Sequence, residues 1–487
     1  MRKIPRIMST QHPDNANIPI FAENTILSGD DEVKEAYFVY SYLNMDEQMW
    51  DFEGKEVDSF VIRKLLTRYE DFFREKRLGQ DIFLTPRVPN PTVERTEAKI
   101  LVETLEIIAR SYDAAKAFFD DDIAPMFEVI LPMTTSYREL NRVYYYYKKY
   151  IVNIQHKYFF DGDIKISDWI GPVKPDEIEL IPLVEDRNSM LNSAEIVKKY
   201  LEDKPFDYIR VFLARSDPAL NYGHVSAVLY NKIALQRLYD LSENTSVDIF
   251  PIIGVGSSPF RGNFKPTNVK NCLRGYPSVQ TFTVQSAFKY DYPLSVVLSA
   301  VEQVKNTTRR KPIYVDEERA FQIAEKYSRE YVKQIILLGP LINRISRYIP
   351  QRRKRKLHIG LFGYSRSVGS MSLPRAITFC AVLYSIGLPP ELLGLNVLSE
   401  KDIDFITDIY QDFLEDLRDA FTCYNPNNLR EFPSYIQKSL KIGIIDFEED
   451  NQHRTLTTRI MKNLKLGAVD LLPSEIITAA KIRGFLG

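Results

Sequence analysis

Short apolar or β-branched runs recur along the chain, and each closes on polar or charged residues. They are IPRIMSTQHPDN (4–15), DIFLTPRVPN (81–90), MFEVILPMTTS (126–136), IELIPLVEDRN (178–188), YIRVFLARSD (208–217), DIFPIIGVGSSPFRG (248–262), QTFTVQSAFKYD (280–291) and LHIGLFGYSRS (357–367). Runs of this length without alternation predict strands buried on both faces. Helix-like stretches follow most of them, such as SAEIVKKYLED (193–203) and HVSAVLYNKIALQRLYDL (224–241). Strand–helix alternation implies βαβ units and a parallel sheet. Eight such runs predict an α/β fold of the (β/α)8 TIM-barrel type, in which functional groups collect at the C-terminal ends of the strands. The stretches from about 20 to 80 and after about 376 read as helical. The expectation is one catalytic unit over 1–487, with a barrel core over about 1–375, a helical insertion between the first two strands and a C-terminal helical region over about 376–487.

Composition narrows the class of partner. Lys plus Arg (64) balances Asp plus Glu (65), so no global field favours nucleic acid or a membrane surface. The dense run RRKRK (352–356) reads either as a solvated loop before the last strand or as a nucleic-acid patch; the balanced remainder favours the loop. The N-terminus lacks an apolar signal core, and AITFCAVLYSIGL stops at Pro389-Pro390, short of the ~20 residues a membrane span needs. Cys272, Cys380 and Cys423 form no CxxC pair, so neither a disulfide framework nor a zinc site is indicated. A soluble cytoplasmic protein is expected.

The candidate chemistry sits at the strand ends. His12 is either an ordinary loop histidine or a base held rigidly before Pro13. Glu185 and Asp217 end adjacent strands, where they either hold a hard divalent cation or pair with Arg187 and Arg215. In GVGSSPFRGN, Gly256 and Ser257 allow close backbone approach to an anion and Arg261 can fork onto its oxygens. The loop matches neither GxxxxGK[ST] nor GxGxxG, which excludes nucleotide binding of those kinds. Arg87, Arg366 and Arg375 are either solvated charges or further anion ligands. Together these residues describe a site for a phosphorylated carboxylic acid with a divalent metal.

On these motifs the chain resembles the phosphoenolpyruvate carboxylases, and in particular their short archaeal type. MSTQHPDNANIPIFAE, DEQMWDFEGKEVD, FEVILPMTTS, GVGSSPFRGNF and GLFGYSRSVGSMSLPRAITFCAVLYSIGLPPELLG carry the likeness over almost the whole chain. TQHPD looks like the TAHPT of the longer enzymes, IPLVED like PLFET, ARSDPALNYG like YSDSAKDAG, and GVGSSPFRGN like the mobile GRGGSIGRGG loop. The resemblance implies that His12, Arg261 and Arg366 are catalytic, that Arg87, Arg375, Gly256 and Ser257 bind substrate, and that Glu185 and Asp217 bind Mg2+ or Mn2+. It implies conversion of phosphoenolpyruvate and bicarbonate to oxaloacetate and phosphate, a lid formed by the 254–262 loop, a homotetramer, and an acidic metabolite as effector. Two cations of the longer enzymes are missing: the lysine of SDSAK falls on Leu220 and the first arginine of the glycine loop on Val255, with Lys289 as a candidate substitute. Another Mg2+-dependent barrel lyase or aldolase acting on a 2-oxo or enol acid would use the same acids without bicarbonate. A non-enzymatic barrel would have no need of His12, Glu185, Asp217 and Arg261.

Overall fold

A computed structural model describes residues 3–354, the backbone of 366–368, and 371–487. Eight parallel strands form a closed barrel: β1 (Ile7–Ser9), β2 (Glu47–Asp51), β3 (Phe83–Arg87), β4 (Glu128–Leu131), β5 (Glu179–Val184), β6 (Tyr208–Ala214), β7 (Asp248–Gly254) and β8 (Thr281–Val284). Closure is made by β1 against β8, with Ile7 opposite Phe282 and Ser9 opposite Val284. Side chains two apart along a strand point the same way. The barrel interior therefore fills in layers, with Met8, Met49, Ile130, Ile181, Leu183, Phe212, Ala214 and Ile252 as its apolar cluster.

Below these lies a charged layer. The Arg210 guanidinium donates to Glu47 (2.8 and 2.7 Å) and to Glu128 (2.7 Å), all fully buried. Continuing the same parity upward predicts which residues look out of the C-terminal mouth: Asp51 two beyond Met49, Arg87 two beyond Thr85, Glu185 two beyond Leu183, Ser216 two beyond Ala214.

The strand assignment differs from the sequence expectation in two places. The stretch 20–80, read as helical, contains β2. EQMWD hides from a hydrophobicity pattern because Glu47 faces Arg210 and Asp51 faces Arg87, so the strand carries charge where its neighbours carry apolar groups. LHIGLFGYSRS is not the eighth barrel strand, since β1 and β8 already close the ring; its residues 357–365 lie outside the described residues. Its last two residues, Arg366 and Ser367, belong to β9 (Arg366–Val368), paired antiparallel with β10 (Met371–Leu373) outside the barrel.

The start of RRKRK is also not a solvated loop. Arg352 is buried and donates to the Asn15 and Ala16 carbonyls (3.0 Å each), and Arg353 is buried against Glu35 (2.6 Å). Arg352 ties the chain after residue 350 to the loop that follows β1, and Arg353 ties it to the helix Asp30–Ser41.

Behind the barrel, the long helix Glu317–Ser346 packs on the helix His224–Glu243 and on the buried helix Ala376–Ser385. Among the C-terminal helices, Phe413–Phe421 packs on the mouth-side loop after β7, and Leu472–Arg483 packs on Asn451–Leu466 and on Ala376–Ser385. Among the described residues no single helix is long and apolar enough to cross a membrane.

Candidate active site

One pocket opens at the C-terminal mouth, and its lining includes His12, Asp51, Glu53, Lys55, Arg87, Glu185, Ser216, Asp217, Arg261 and Arg375. Six residues singled out by the sequence thus meet here from β1, β3, β5, the turn after β6, the loop after β7, and the N-cap of the helix Ala376–Ser385. The Arg366 side chain lies outside the described residues.

His12 is half-buried, and its Nδ1 lies 2.7 Å from the Thr10 hydroxyl. Burial first, and then the charges of Lys55, Arg261, Arg87 and Lys289, hold its pKa well below the ordinary imidazole value. The ring is therefore neutral at neutral pH, the form in which it can accept a proton.

The cationic side of the pocket is built with its own counter-ions. Arg87 forks onto Asp51 through Nε and Nη2 (2.9 and 2.7 Å), and Nη2 also reaches Glu53 (2.9 Å). Lys55 pairs with the same Asp51. Arg375 approaches Glu53 at 3.9 Å, and the first residues of its helix, Ala376 and Ile377, line the pocket; a helix N-terminus there favours an anion. Asp51, Glu53, Lys55 and Ser216 were not among the predicted site residues. The strand parity around Met49 and Ala214 is the signal that finds Asp51 and Ser216, once β2 is recognised.

Arg261 is the most fixed of the cations. It is 1% exposed, with Nε on Ser216 Oγ (3.1 Å), Nη1 on the Gly487 carbonyl (2.7 Å) and Nη2 on Gln285 Oε1 (2.6 Å). The loop that carries it turns tightly, with Gly256 N–H on the Arg261 carbonyl (2.8 Å) and Phe264 N–H on the Gly256 carbonyl (2.9 Å).

In this structure the loop is packed down against the rest of the chain. Residues 255–263 are buried throughout, with Val255 and Phe260 inside the main hydrophobic core, so the loop is not an exposed lid. Swinging it outward would expose those side chains to water. Gly256 and Ser257 do not line the pocket: Ser257 donates to Asp14 (2.9 Å), and Gly256 packs directly beneath the Arg261 guanidinium.

Leu220 and Val255 likewise belong to the hydrophobic core and present nothing to the site. Lys289 does not replace the missing cations at the pocket wall. Its ammonium is taken by the Thr10 carbonyl (2.5 Å) and Glu35 (2.6 Å), behind the end of β1.

Glu185, Asp217 and the Ser216 hydroxyl offer hard oxygen donors from the ends of adjacent strands. That donor chemistry fits a hard divalent cation.

Comparison with known proteins gives a consistent result. The family model for phosphoenolpyruvate carboxylase matches residues 4–487. Proteins of that name from Methanospirillum hungatei and Methanothermobacter thermautotrophicus are 52% and 51% identical, each over the full length of both chains. One from Pyrococcus abyssi is 51% identical over 99% of this chain and all of its own. Among solved structures, Haloferax volcanii malate synthase aligns with 71% of this chain and 92% of its own at 8% identity and a TM-score of 0.39. With the family model and full-length relatives at half identity in agreement, the chain belongs to the phosphoenolpyruvate carboxylase family.

Proposed function

We propose that this protein carboxylates phosphoenolpyruvate with bicarbonate, giving oxaloacetate and phosphate and so supplying four-carbon acids. The observation that carries the reading is one pocket in which a neutral histidine, a cationic wall and two strand-end carboxylates converge, in a chain matched by the family model from residue 4 to 487.

Arg261 and Arg375 hold the phosphoryl and carboxylate oxygens of the substrate, and the Arg366 position belongs to the same proposal. A bicarbonate oxygen attacks phosphorus while the bond to the enol oxygen breaks, producing carboxyphosphate and the enolate of pyruvate; the arginines stabilise the charge as it spreads. His12 then takes the carboxyl proton of carboxyphosphate, which splits to CO2 and phosphate. The enolate carbon adds to CO2, closing the balance at oxaloacetate. Arg87 and Lys55, tied to Asp51 and Glu53, keep this wall rigid. Glu185 and Asp217, with Ser216, would hold Mg2+ or Mn2+, and the bound cation supplies stabilisation for negative charge developing on oxygen. Gly256 and Ser257 act from behind, by supporting Arg261 and Asp14.

The test follows oxaloacetate, pyruvate and phosphate from phosphoenolpyruvate, with and without bicarbonate and metal. Bicarbonate-dependent oxaloacetate is expected; product without bicarbonate would point instead to a lyase or aldolase. His12→Asn is expected to lose oxaloacetate by at least ~100-fold while retaining some bicarbonate-dependent pyruvate and phosphate. Simultaneous loss of all three products would put His12 in the first half-reaction. Family membership also supports a cytoplasmic homotetramer inhibited by an acidic metabolite, which sedimentation and inhibition assays address.

A further inference from the structure

We propose that Thr10 is a positioning residue that fixes His12 in the Nδ1–H tautomer and leaves the Nε2 lone pair facing the pocket. The inference deepens the carboxylase reading and rests on His12 acting as its base.

Thr10 directly follows β1, is fully buried, and is held on every polar atom. Its N–H donates to the Val284 carbonyl (3.1 Å), extending the β1–β8 ladder by one step, and its own carbonyl accepts from Lys289 (2.5 Å). With the backbone fixed, the β-branched side chain has little rotamer freedom. Its hydroxyl lies between the Val284 carbonyl (3.3 Å) and His12 Nδ1 (2.7 Å).

A hydroxyl carries one proton, and a carbonyl oxygen can only accept. When the Thr10 proton goes to Val284, the contact at Nδ1 requires the imidazole proton to sit on Nδ1. The opposite arrangement, Thr10 donating to Nδ1, would place an N–H on Nε2. The pocket that His12 lines also holds Asp51, Glu53, Glu185 and Asp217, but the charges that act most on the ring are the cations Lys55, Arg261, Arg87 and Lys289, against which an Nε2–H would set a positive dipole. A lone pair there is attracted by them. The hydroxyl contacts admit both arrangements, and the field of these cations selects the one in which Thr10 donates to Val284. Among the described residues the hydrogen bond to this ring falls on Nδ1, and the ring lines the pocket in which a substrate proton would be taken.

Selective 15N labelling of the histidine rings reads the tautomer directly, with His12 assigned by the signal lost in His12→Asn. The wild-type spectrum is expected to show the proton on Nδ1. Thr10→Val keeps the size and backbone bonds but removes the hydroxyl. It is expected to lose the single tautomer, to lower oxaloacetate turnover roughly 10- to 100-fold with little change in the KM for phosphoenolpyruvate, and to raise the pyruvate-to-oxaloacetate ratio. Thr10→Ser should restore both spectrum and turnover. A wild-type ring protonated on Nε2, or a Thr10→Val enzyme within twofold of wild type, would overturn the proposal. Absence of oxaloacetate from the wild-type protein would overturn the carboxylase reading instead, while the spectrum would still decide the tautomer.

Discussion

Gly256 provides a perturbation that separates stability from catalysis. A Cβ at this position would stand 2.8 Å from Arg261 Cζ and 2.9 Å from Nη2, against the 3.4 Å at which ordinary contact begins. The guanidinium in Gly256→Ala must therefore retreat by about 0.6 Å, the difference between 3.4 and 2.8. That retreat is opposed by its bonds to Ser216, Gly487 and Gln285 at 3.1, 2.7 and 2.6 Å, so at least one of them breaks or stretches. Local overpacking and one weakened charge-assisted bond together cost roughly 1–3 kcal/mol. Catalysis should suffer more: displacing a positioning group by ~1 Å can cost about 100-fold, and kcat is expected to fall roughly 10- to 100-fold at unchanged fold. The assay pairs oxaloacetate turnover with thermal unfolding, and uses Gly443→Ala as a control because a Cβ there meets nothing within 4 Å. A Gly256→Ala enzyme with near-normal kcat would refute the argument that this glycine exists to seat Arg261.

Glu185→Gln and Asp217→Asn should each raise the Mg2+ or Mn2+ concentration for half-maximal activity by roughly tenfold or more, because loss of one anionic donor leaves a hard cation held mainly by water and substrate; unchanged midpoints in both would rule out the ligand assignment. Glu391 supplies a pH prediction. Burial raises its carboxyl from 4.5 to about 8, with Tyr384 donating to it. The folded state thus holds a proton that the unfolded chain releases, so the contribution of Glu391 to stability should fall by about 1.4 kcal/mol per unit as pH rises from about 5 toward 8, then level off. Glu391→Gln should flatten this dependence in unfolding midpoints measured from pH 5 to 9; an unaltered slope would sink the assignment.

Much of the mouth of this barrel was legible along the chain. Strands buried on both faces must be apolar, and the residue that first meets solvent at the C-terminal end can be polar, so His12, Arg87, Glu185 and Arg261 announce themselves as breaks in apolar runs. β2 did not, because its polarity is satisfied by distant residues: Glu47 pairs with Arg210, 163 positions away, and Asp51 with Arg87, 36 away. No local pattern distinguishes such a strand from the surface of a helix. The exposure of the 254–262 loop was equally undecidable, since glycine and serine suit a mobile lid as well as a tight buried turn. Packing beneath the C-terminal helices settles it, with Phe260 and Val255 inside the core and Arg261 bonded to Gly487 at the far end of the sequence. The same holds for Arg352 and Arg353, whose charge reads as solvated until the loop after β1 and Glu35 are brought against them. Residue type and strand parity set which groups face the mouth; which of them are neutralised, buried or aimed depends on partners that only chain closure brings within hydrogen-bonding distance.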